Sequence, residues 1–222
     1  MSRPAKKKRG RARKAALAGL GGAAILASGS QAYSAVISVT PPPDLADLGE
    51  GTVNPGPGDF DHTDWDLDGD GTIDFGFNYR NVDNPQFTWQ SNIWTDGTNG
   101  VVGYVGFFLD YADNLTAGTV VDGSSTFVGT TDQVALGSEY LYTPYGGFGS
   151  VDDIVRGFVG LRFQMADGVH YGFVEIETGE GFGLTFHSAA YESEPDVGIT
   201  IPEPGSLAAL ALGAVALLKR RR

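Results

Sequence analysis

Two alternating segments near the end of the chain constrain its fold most strongly. In residues 157–165, the apolar Val159, Leu161, Phe163 and Met165 alternate with Phe158, Gly160, Arg162 and Gln164. Residues 169–177 alternate in the same way, with Tyr171, Phe173, Glu175 and Glu177 in one set and His170, Gly172, Val174 and Ile176 in the other. The turn between them, Ala166-Asp167-Gly168, contains the Asp-Gly pair that favours tight connections between strands. Because a β-strand points successive side chains to opposite faces, these runs predict a β-hairpin.

Short runs rich in β-branched and aromatic residues recur along the rest of the body, separated by Gly, Asp and Asn. Between the two ends of the chain, no long stretch shows the helical period that is typical of an amphipathic helix. The fold is therefore predicted to be all-β, most simply a two-layer antiparallel β-sandwich over residues 60–200. The predicted strands are 72–79, 86–89, 101–109, 119–121, 127–128, 133–136, 157–165, 169–177 and 181–190.

Charge is distributed very unevenly along the chain. Eight of the 15 cations lie between Arg3 and Lys14 and four close the chain, whereas no acid precedes Asp44 or follows Glu203. The body between these ends holds three cations and 27 acids, a net charge of −24. Such a body repels nucleic acid and attracts multivalent cations, so this body is not expected to bind nucleic acid. Without cysteine, the chain has no disulfide and no thiolate metal site.

The start of the chain, residues 1–34, has the layout of a secretory signal peptide. A cationic region precedes an apolar stretch, residues 15–27, and a small polar segment follows. Small residues at Ala32 and Ser34 favour cleavage between Ser34 and Ala35. The segment therefore predicts a signal helix, with the Sec export machinery and signal peptidase as partners. A nucleic-acid-binding or nuclear-localisation arm and a retained membrane helix are the alternatives.

The end of the chain, residues 201–222, combines three features in a fixed order. Pro202, Glu203 and Pro204 precede an apolar run, residues 205–218, and four cations end the chain. As a helix this run would be about 21 Å long, somewhat shorter than a hydrocarbon core of about 30 Å. The terminal cations would hold the C-terminus in the cytoplasm. A permanent anchor and a buried core helix are the other interpretations.

This terminal segment resembles the PEP-CTERM sorting signal of exported proteins from Gram-negative bacteria that make extracellular polysaccharide. The resemblance implies that an exosortase, a membrane-embedded cysteine protease, recognises and cleaves the chain near Pro202-Glu203-Pro204. It also implies that the C-terminal helix anchors the protein in the inner membrane only transiently. The final location would be the outer surface or the extracellular matrix.

A second resemblance concerns the body. Arg162-Phe163, His170-Tyr171-Gly172-Phe173 and Ala190-Tyr191-Glu192 are similar to a segment found in many PEP-CTERM proteins. It implies an exported β-domain and no particular activity. Upstream, residues 35–59 are rich in Pro and Gly and are expected to form an extended arm, with at most a short strand at 35–39.

One stretch carries recognisable chemistry. Residues 59–74 contain seven aspartates, and Asp66, Asp68, Asp70 and Asp74 occupy positions 1, 3, 5 and 9 of an EF-hand-like calcium loop. Gly71 stands at position 6, and Thr72 at position 7 offers its backbone carbonyl. Alternate oxygen ligands on a tight loop converge on one point, which suits a hard cation. The sequence therefore predicts a structural Ca²⁺ site.

Two departures weaken the match to an EF-hand. Position 12 is Phe77, so the bidentate glutamate is absent, and a strand is expected to follow the loop. Weak binding, with Kd about 10⁻⁴ to 10⁻³ M, is therefore expected. An acidic turn that binds no metal is the alternative.

The expected function is that of a non-enzymatic surface or matrix protein with a calcium-stabilised β-domain. A carbohydrate-binding module or adhesin for exopolysaccharide is an alternative, since Trp65, Trp89 and Trp94 belong to an aromatic set able to stack on sugars. A polysaccharide hydrolase is a second alternative, because Glu175 and Glu177 lie on one face of a predicted strand.

Overall fold

A computed structural model describes residues 34–46, 50–51, 61–84, 87–107, 109–129, 133–141, 143–150 and 153–203. All of these residues belong to one unit, 33–222. The predicted signal helix and C-terminal hydrophobic helix fall outside the described ranges. Within those ranges no helix has the length and hydropathy needed to cross a membrane.

The described residues form fifteen strands and no helix, so the all-β prediction is confirmed. In chain order the strands are β1 (Val36–Val39), β2 (Glu50–Gly51), β3 (Asp61–Trp65), β4 (Phe75–Asn84), β5 (Phe87–Thr95), β6 (Gly100–Val105), β7 (Asp110–Ala112), β8 (Val120–Val121), β9 (Phe127–Val128), β10 (Gln133–Tyr140), β11 (Thr143–Tyr145), β12 (Val155–Met165), β13 (Gly168–Gly179), β14 (Gly183–Glu192) and β15 (Ile199–Thr200).

The predicted two-layer antiparallel sandwich is not confirmed. Thirteen strands are hydrogen-bonded into one mixed sheet with the main order β1-β14-β13-β12-β6-β7-β10-β5-β4-β2. Two of its pairs, β7 with β10 and β2 with β4, are parallel. Strand β6 joins the two halves of the sheet, because it pairs with β12 on one side and β7 on the other.

The sheet curls so that distant strands share one core. Phe77 of β4 packs edge-to-face on Phe186 of β14, with ring centroids 4.9 Å apart. The Tyr79 hydroxyl donates a hydrogen bond of 2.8 Å to the carbonyl of Gly179, far along the chain. Burial of these large rings between the two halves of the sheet is the main source of stability.

A second, smaller core covers the other face of β12–β14. Strands β8 and β15 form a separate two-stranded sheet, and Val121 and Ile199 pack there with Phe158 and Phe173. Ile201 extends this sheet, since its N–H donates to Thr119 and its carbonyl accepts from Gly118. The central hairpin is consequently apolar on both faces over part of its length.

Candidate functional site

The aspartate-rich segment is the connection of a β-hairpin. Strands β3 and β4 are antiparallel, with Trp65 paired to Phe75, and the N–H of Asp74 donates to the Trp65 carbonyl at 3.0 Å. A strand follows the loop, as predicted, although it begins at Phe75 rather than at Thr72. Leu67 is buried in the main core and anchors the loop to it.

Asp66 organises the tip of this loop. One of its carboxylate oxygens accepts the N–H groups of Gly69 and Asp70, at 2.8 and 3.1 Å, and the other accepts that of Gly71 at 2.8 Å. Gly69 and Gly71 have φ values of +79° and +92° with open space around them. The turn therefore requires glycine for its backbone conformation rather than for lack of room.

Three of the predicted metal ligands converge. One carboxylate oxygen from each of Asp66, Asp68 and Asp74 lies within 4.8 Å of the other two. Asp70 is not among these three carboxylates; it is exposed, and its carboxylate accepts the Thr72 N–H at 2.7 Å. Thr72 is also exposed, and its predicted backbone-carbonyl ligand stays a prediction. Three convergent carboxylates fit a hard cation that completes its shell with water or carbonyl oxygens.

Asp74 is the buried member of the cluster. Its carboxylate accepts the Leu67 N–H at 2.9 Å, and its residue surface is only 6% exposed. Burial raises the pKa of Asp74 to about 6, against the opposing effect of the Leu67 N–H, and the charges of Asp68 and Asp66 add to the rise. Burial also raises the pKa of Asp68, with contributions from the charges of Asp70 and Asp66. A divalent cation would relieve this repulsion.

Asn99 supports the site and was not predicted from the sequence. Its side-chain amide donates to the carbonyl and to the carboxylate of Asp74, at 3.2 and 3.3 Å. Its side-chain oxygen accepts the Gln164 N–H from β12 at 3.0 Å. A lone asparagine far from Asp74 along the chain gives no sequence signal for this contact.

The other predicted candidates occupy different surroundings. Glu175 and Glu177 lie on the sheet surface beside Arg156, whose guanidinium is 2.8 Å from Glu175 and 3.9 Å from Glu177. Ser188 contacts Glu175 at 2.8 Å, and His187 contacts Glu177 at 2.9 Å. Both glutamates are therefore engaged by neighbouring side chains.

The body segment resembling many PEP-CTERM proteins forms one corner of the fold. His170 is fully buried, and its two ring nitrogens contact the Glu192 carbonyl at 2.8 Å and the Asp167 carboxylate at 2.9 Å. Phe163 and Tyr191 pack edge-to-face with centroids 5.4 Å apart. These contacts give the segment a structural role, because they tie the β12–β13 turn to the end of β14.

The described chain includes both predicted processing sites in part. Ala35 donates its N–H to the Ser193 hydroxyl and accepts the Ser193 N–H, each at 3.0 Å, immediately before β1. At the other end, Ile201 is buried, Pro202 is half-buried and Glu203 is exposed. Pro204 and the segment after it lie outside the described residues. The first and last described strands, β1 and β15, thus lie beside the two predicted cleavage sites.

Comparison with protein families matches residues 200–222 to the PEP-CTERM protein-sorting motif. Comparison with curated proteins gave no match, and comparison with solved structures gave none either. The matched residues include Pro202, Glu203 and Pro204, on which the resemblance rested. The chain is therefore a protein that carries a PEP-CTERM sorting motif at its C-terminal end.

Proposed function

We propose that this protein is exported, cleaved by an exosortase near Pro202-Glu203-Pro204, and released to the outer surface or extracellular matrix as a calcium-stabilised, non-enzymatic β-domain. The observation that carries the proposal is the sorting motif, matched over residues 200–222. Its Pro-Glu-Pro triplet follows Ile201, which is hydrogen-bonded to Gly118 and Thr119. Signal peptidase, the Sec machinery and the inner membrane are the transient partners.

The calcium site is supported by the three convergent carboxylates of Asp66, Asp68 and Asp74. No described lysine, arginine or histidine forms an ion pair with any of them. The cation would neutralise the loop, which closes the β3–β4 hairpin and is anchored to the core by Leu67. With three clustered acids and no bidentate glutamate, the Kd is expected to be about 10⁻⁴ to 10⁻³ M.

A non-enzymatic role is supported by the surroundings of the two strand glutamates. A glycosidase needs one carboxyl group free to protonate the leaving group and a second one facing the substrate. The Glu175 carboxylate already contacts Arg156 and Ser188, and the Glu177 carboxylate contacts His187. The exported protein is therefore expected to leave soluble polysaccharides unhydrolysed.

Thermal unfolding tests the calcium site. At about 10 mM Ca²⁺, a Kd in the expected range stabilises the protein by about 1.4–2.7 kcal/mol, which corresponds to a rise in Tm of roughly 3–10 °C relative to EGTA. Asp66→Asn and Asp68→Asn should abolish this rise. Asp70→Asn should retain most of it, because Asp70 lies outside the cluster.

Asp153→Asn is the matched control, since Asp153 is an exposed acid on a different segment. It should keep the full calcium-dependent rise. An equal Tm in Ca²⁺ and EGTA for the unaltered protein would disprove the calcium site and leave the sorting proposal intact.

A further inference from the structure

One face of the sheet beside the aspartate loop is polar apart from a single indole ring. The core-facing residues of β4 alternate with Gly76, Asn78 and Arg80, which point to the opposite face. In register with Gly76 lie Asp64 of β3 and Trp94 of β5. In register with Asn78 lie the exposed His62 and the buried Asn92.

Trp94 differs from the other two tryptophans of the chain. Trp65 and Trp89 are 5% and 0% exposed in the main core, whereas Trp94 is half-buried on the outer face. Its ring packs closely on Gly76, because a Cβ added there would be only 2.1 Å from the indole Cε2. One face of the indole is thus supported by the sheet, and the ring lines an open cavity.

That cavity has a volume of about 300 Å³ and is bordered by Trp94, Asp64, Asp96 and the partly exposed Ile73. A second cavity of about 190 Å³ shares Ile73 and Asp96 with it and continues to Gln164. Together they form a cleft, here called the Trp94 cleft, which runs along the aspartate loop. Its size suits a ligand of small-molecule dimensions, since such sites measure about 300–1,000 Å³.

A hydrogen-bonded network of side-chain amides lies in the sheet next to this cleft. Gln90 donates to Asn92 at 2.9 Å, and Asn92 donates to Asn78 at 2.8 Å. Gln90 and Asn92 are 5% and 1% exposed, so the network is fixed by burial. A rigid sheet keeps Trp94 and the carboxylates beside it in place without a ligand, which lowers the entropic cost of binding.

The composition of the cleft identifies the class of ligand. A flat aromatic ring accepts a flat apolar surface, and carboxylates on its rim accept hydrogen bonds from hydroxyl groups. None of the residues that line the two cavities is a cation, and Asp64, Asp74 and Asp96 lie among them. An anionic ligand is disfavoured there, in a body with 27 acids and three cations.

We propose that the Trp94 cleft binds a neutral polysaccharide chain. A pyranose ring stacks its apolar face on Trp94, and its hydroxyl groups donate to Asp64 and Asp96. The biological meaning of this site rests on the proposed surface location, but binding itself is measured independently of sorting. Trp94, Asp64 and Asp96 lie outside the three-aspartate cluster, so ligand binding and the calcium-dependent rise in Tm are measured separately.

Binding is tested with the full chain in detergent, at saturating Ca²⁺, by calorimetry and tryptophan fluorescence. The probes are the β-glucan hexamers cellohexaose and laminarihexaose, mannohexaose, xylohexaose and, as an anionic comparison, oligogalacturonate. At least one neutral hexamer should bind saturably and change the fluorescence of Trp94, while oligogalacturonate should not bind. Trp94→Ala and Asp96→Asn should each weaken binding at least about tenfold.

Trp94→Tyr keeps an aromatic platform and should retain part of the affinity, which separates loss of stacking from loss of folding. Tyr104→Ala is the matched control, because Tyr104 is a 47% exposed aromatic residue on β6, away from the cleft, and it should bind like the unaltered protein. Absence of binding to all four neutral hexamers, or full affinity in a folded Trp94→Ala variant, would overturn the proposal. Repeating the titration in EGTA shows whether oligosaccharide binding requires Ca²⁺. The calcium site itself is tested separately, by the Tm measurements in Ca²⁺ and EGTA.

Discussion

At the scale of single residues, Asp74 is the position where burial and charge compete most directly. The residue is only 6% exposed, and its carboxylate accepts hydrogen bonds from the Leu67 N–H and the Asn99 amide. Burial nevertheless raises its pKa to about 6, from an ordinary value of 3.8. Between about pH 4 and pH 6, the folded protein therefore holds a proton at Asp74 that the unfolded chain has already released.

This shift predicts a pH dependence of stability when calcium is removed. Between about pH 4 and pH 6 the folded state binds more protons at this site than the unfolded state, so the free energy of unfolding falls as pH rises through that window. Asp74→Asn removes the titrating group, so its stability in EGTA should fall less across the same window. Urea unfolding at several pH values measures the difference.

Asp153→Asn serves as the control for this experiment, because Asp153 is an exposed acid outside the aspartate cluster. Profiles of the Asp74→Asn variant and the unaltered protein that run parallel from about pH 4 to pH 6 would contradict the assignment.

The spacing of the aspartates located the candidate site, and the fold brings three of the predicted ligands together. Asp66, Asp68 and Asp74 converge, as the spacing predicts. The Asp70 carboxylate accepts the N–H of Thr72, two residues further along the loop, as aspartates in turns commonly do. Asn99 comes from a distant loop, and only the folded sheet brings it next to Asp74.

At the scale of elements, the hairpin of β12 and β13 was the best predicted part of the fold. The pairing of Phe163 with His170 and of Gly160 with Phe173 follows from the alternation and the turn. Strand β3 was not predicted, because its sequence, DHTDW, is mostly polar and resembles a loop. Its outward residues His62 and Asp64 face solvent, while Thr63 and Trp65 are buried, so a short alternating strand was concealed among acids.

The junction of the two halves of the sheet depends on a glycine in β6. Gly103 pairs with Ala112 of β7, and a Cβ added to it would lie 2.0 Å from the Tyr111 carbonyl oxygen. Backbone atoms cannot move aside as a flexible side chain could. Gly103→Ala should therefore lower the free energy of unfolding by about 3 kcal/mol, measured by urea denaturation.

Gly123→Ala is the comparison variant for this prediction. The nearest atom to an added Cβ there is the Tyr171 hydroxyl at 3.1 Å, which lies at the end of a side chain. A loss below about 1 kcal/mol is expected. Equal stability of Gly103→Ala and the unaltered protein would contradict the observed close approach of β6 and β7.

At the scale of the whole molecule, the curl of the sheet was not predictable from the sequence. Two strand pairs are parallel, β7 with β10 and β2 with β4. The residue pattern within each of these strands does not indicate which strand it pairs with. The core contact of Phe77 with Phe186 likewise spans most of the folded chain. Local patterns identified most strands, whereas their order depends on how all the buried surfaces fit together.

The positions of the two chain ends connect the fold to its proposed processing. Ala35 is bonded to Ser193, and Ile201 is bonded to the loop at Gly118 and Thr119. Removal of residues 1–34 and of the segment after the Pro-Glu-Pro triplet would therefore leave every described strand in place. The working protein would lose both basic ends and keep the acidic body, which attracts divalent cations.

Mass spectrometry of the protein recovered from the surface or matrix of the cells that produce it tests sorting most directly. The expected mature chain begins at Ala35, ends close to Pro202-Glu203-Pro204 and lacks Arg222. If most of the surface protein still carries Arg222, it has not been cleaved at the sorting motif, and that result would contradict the proposed processing by an exosortase.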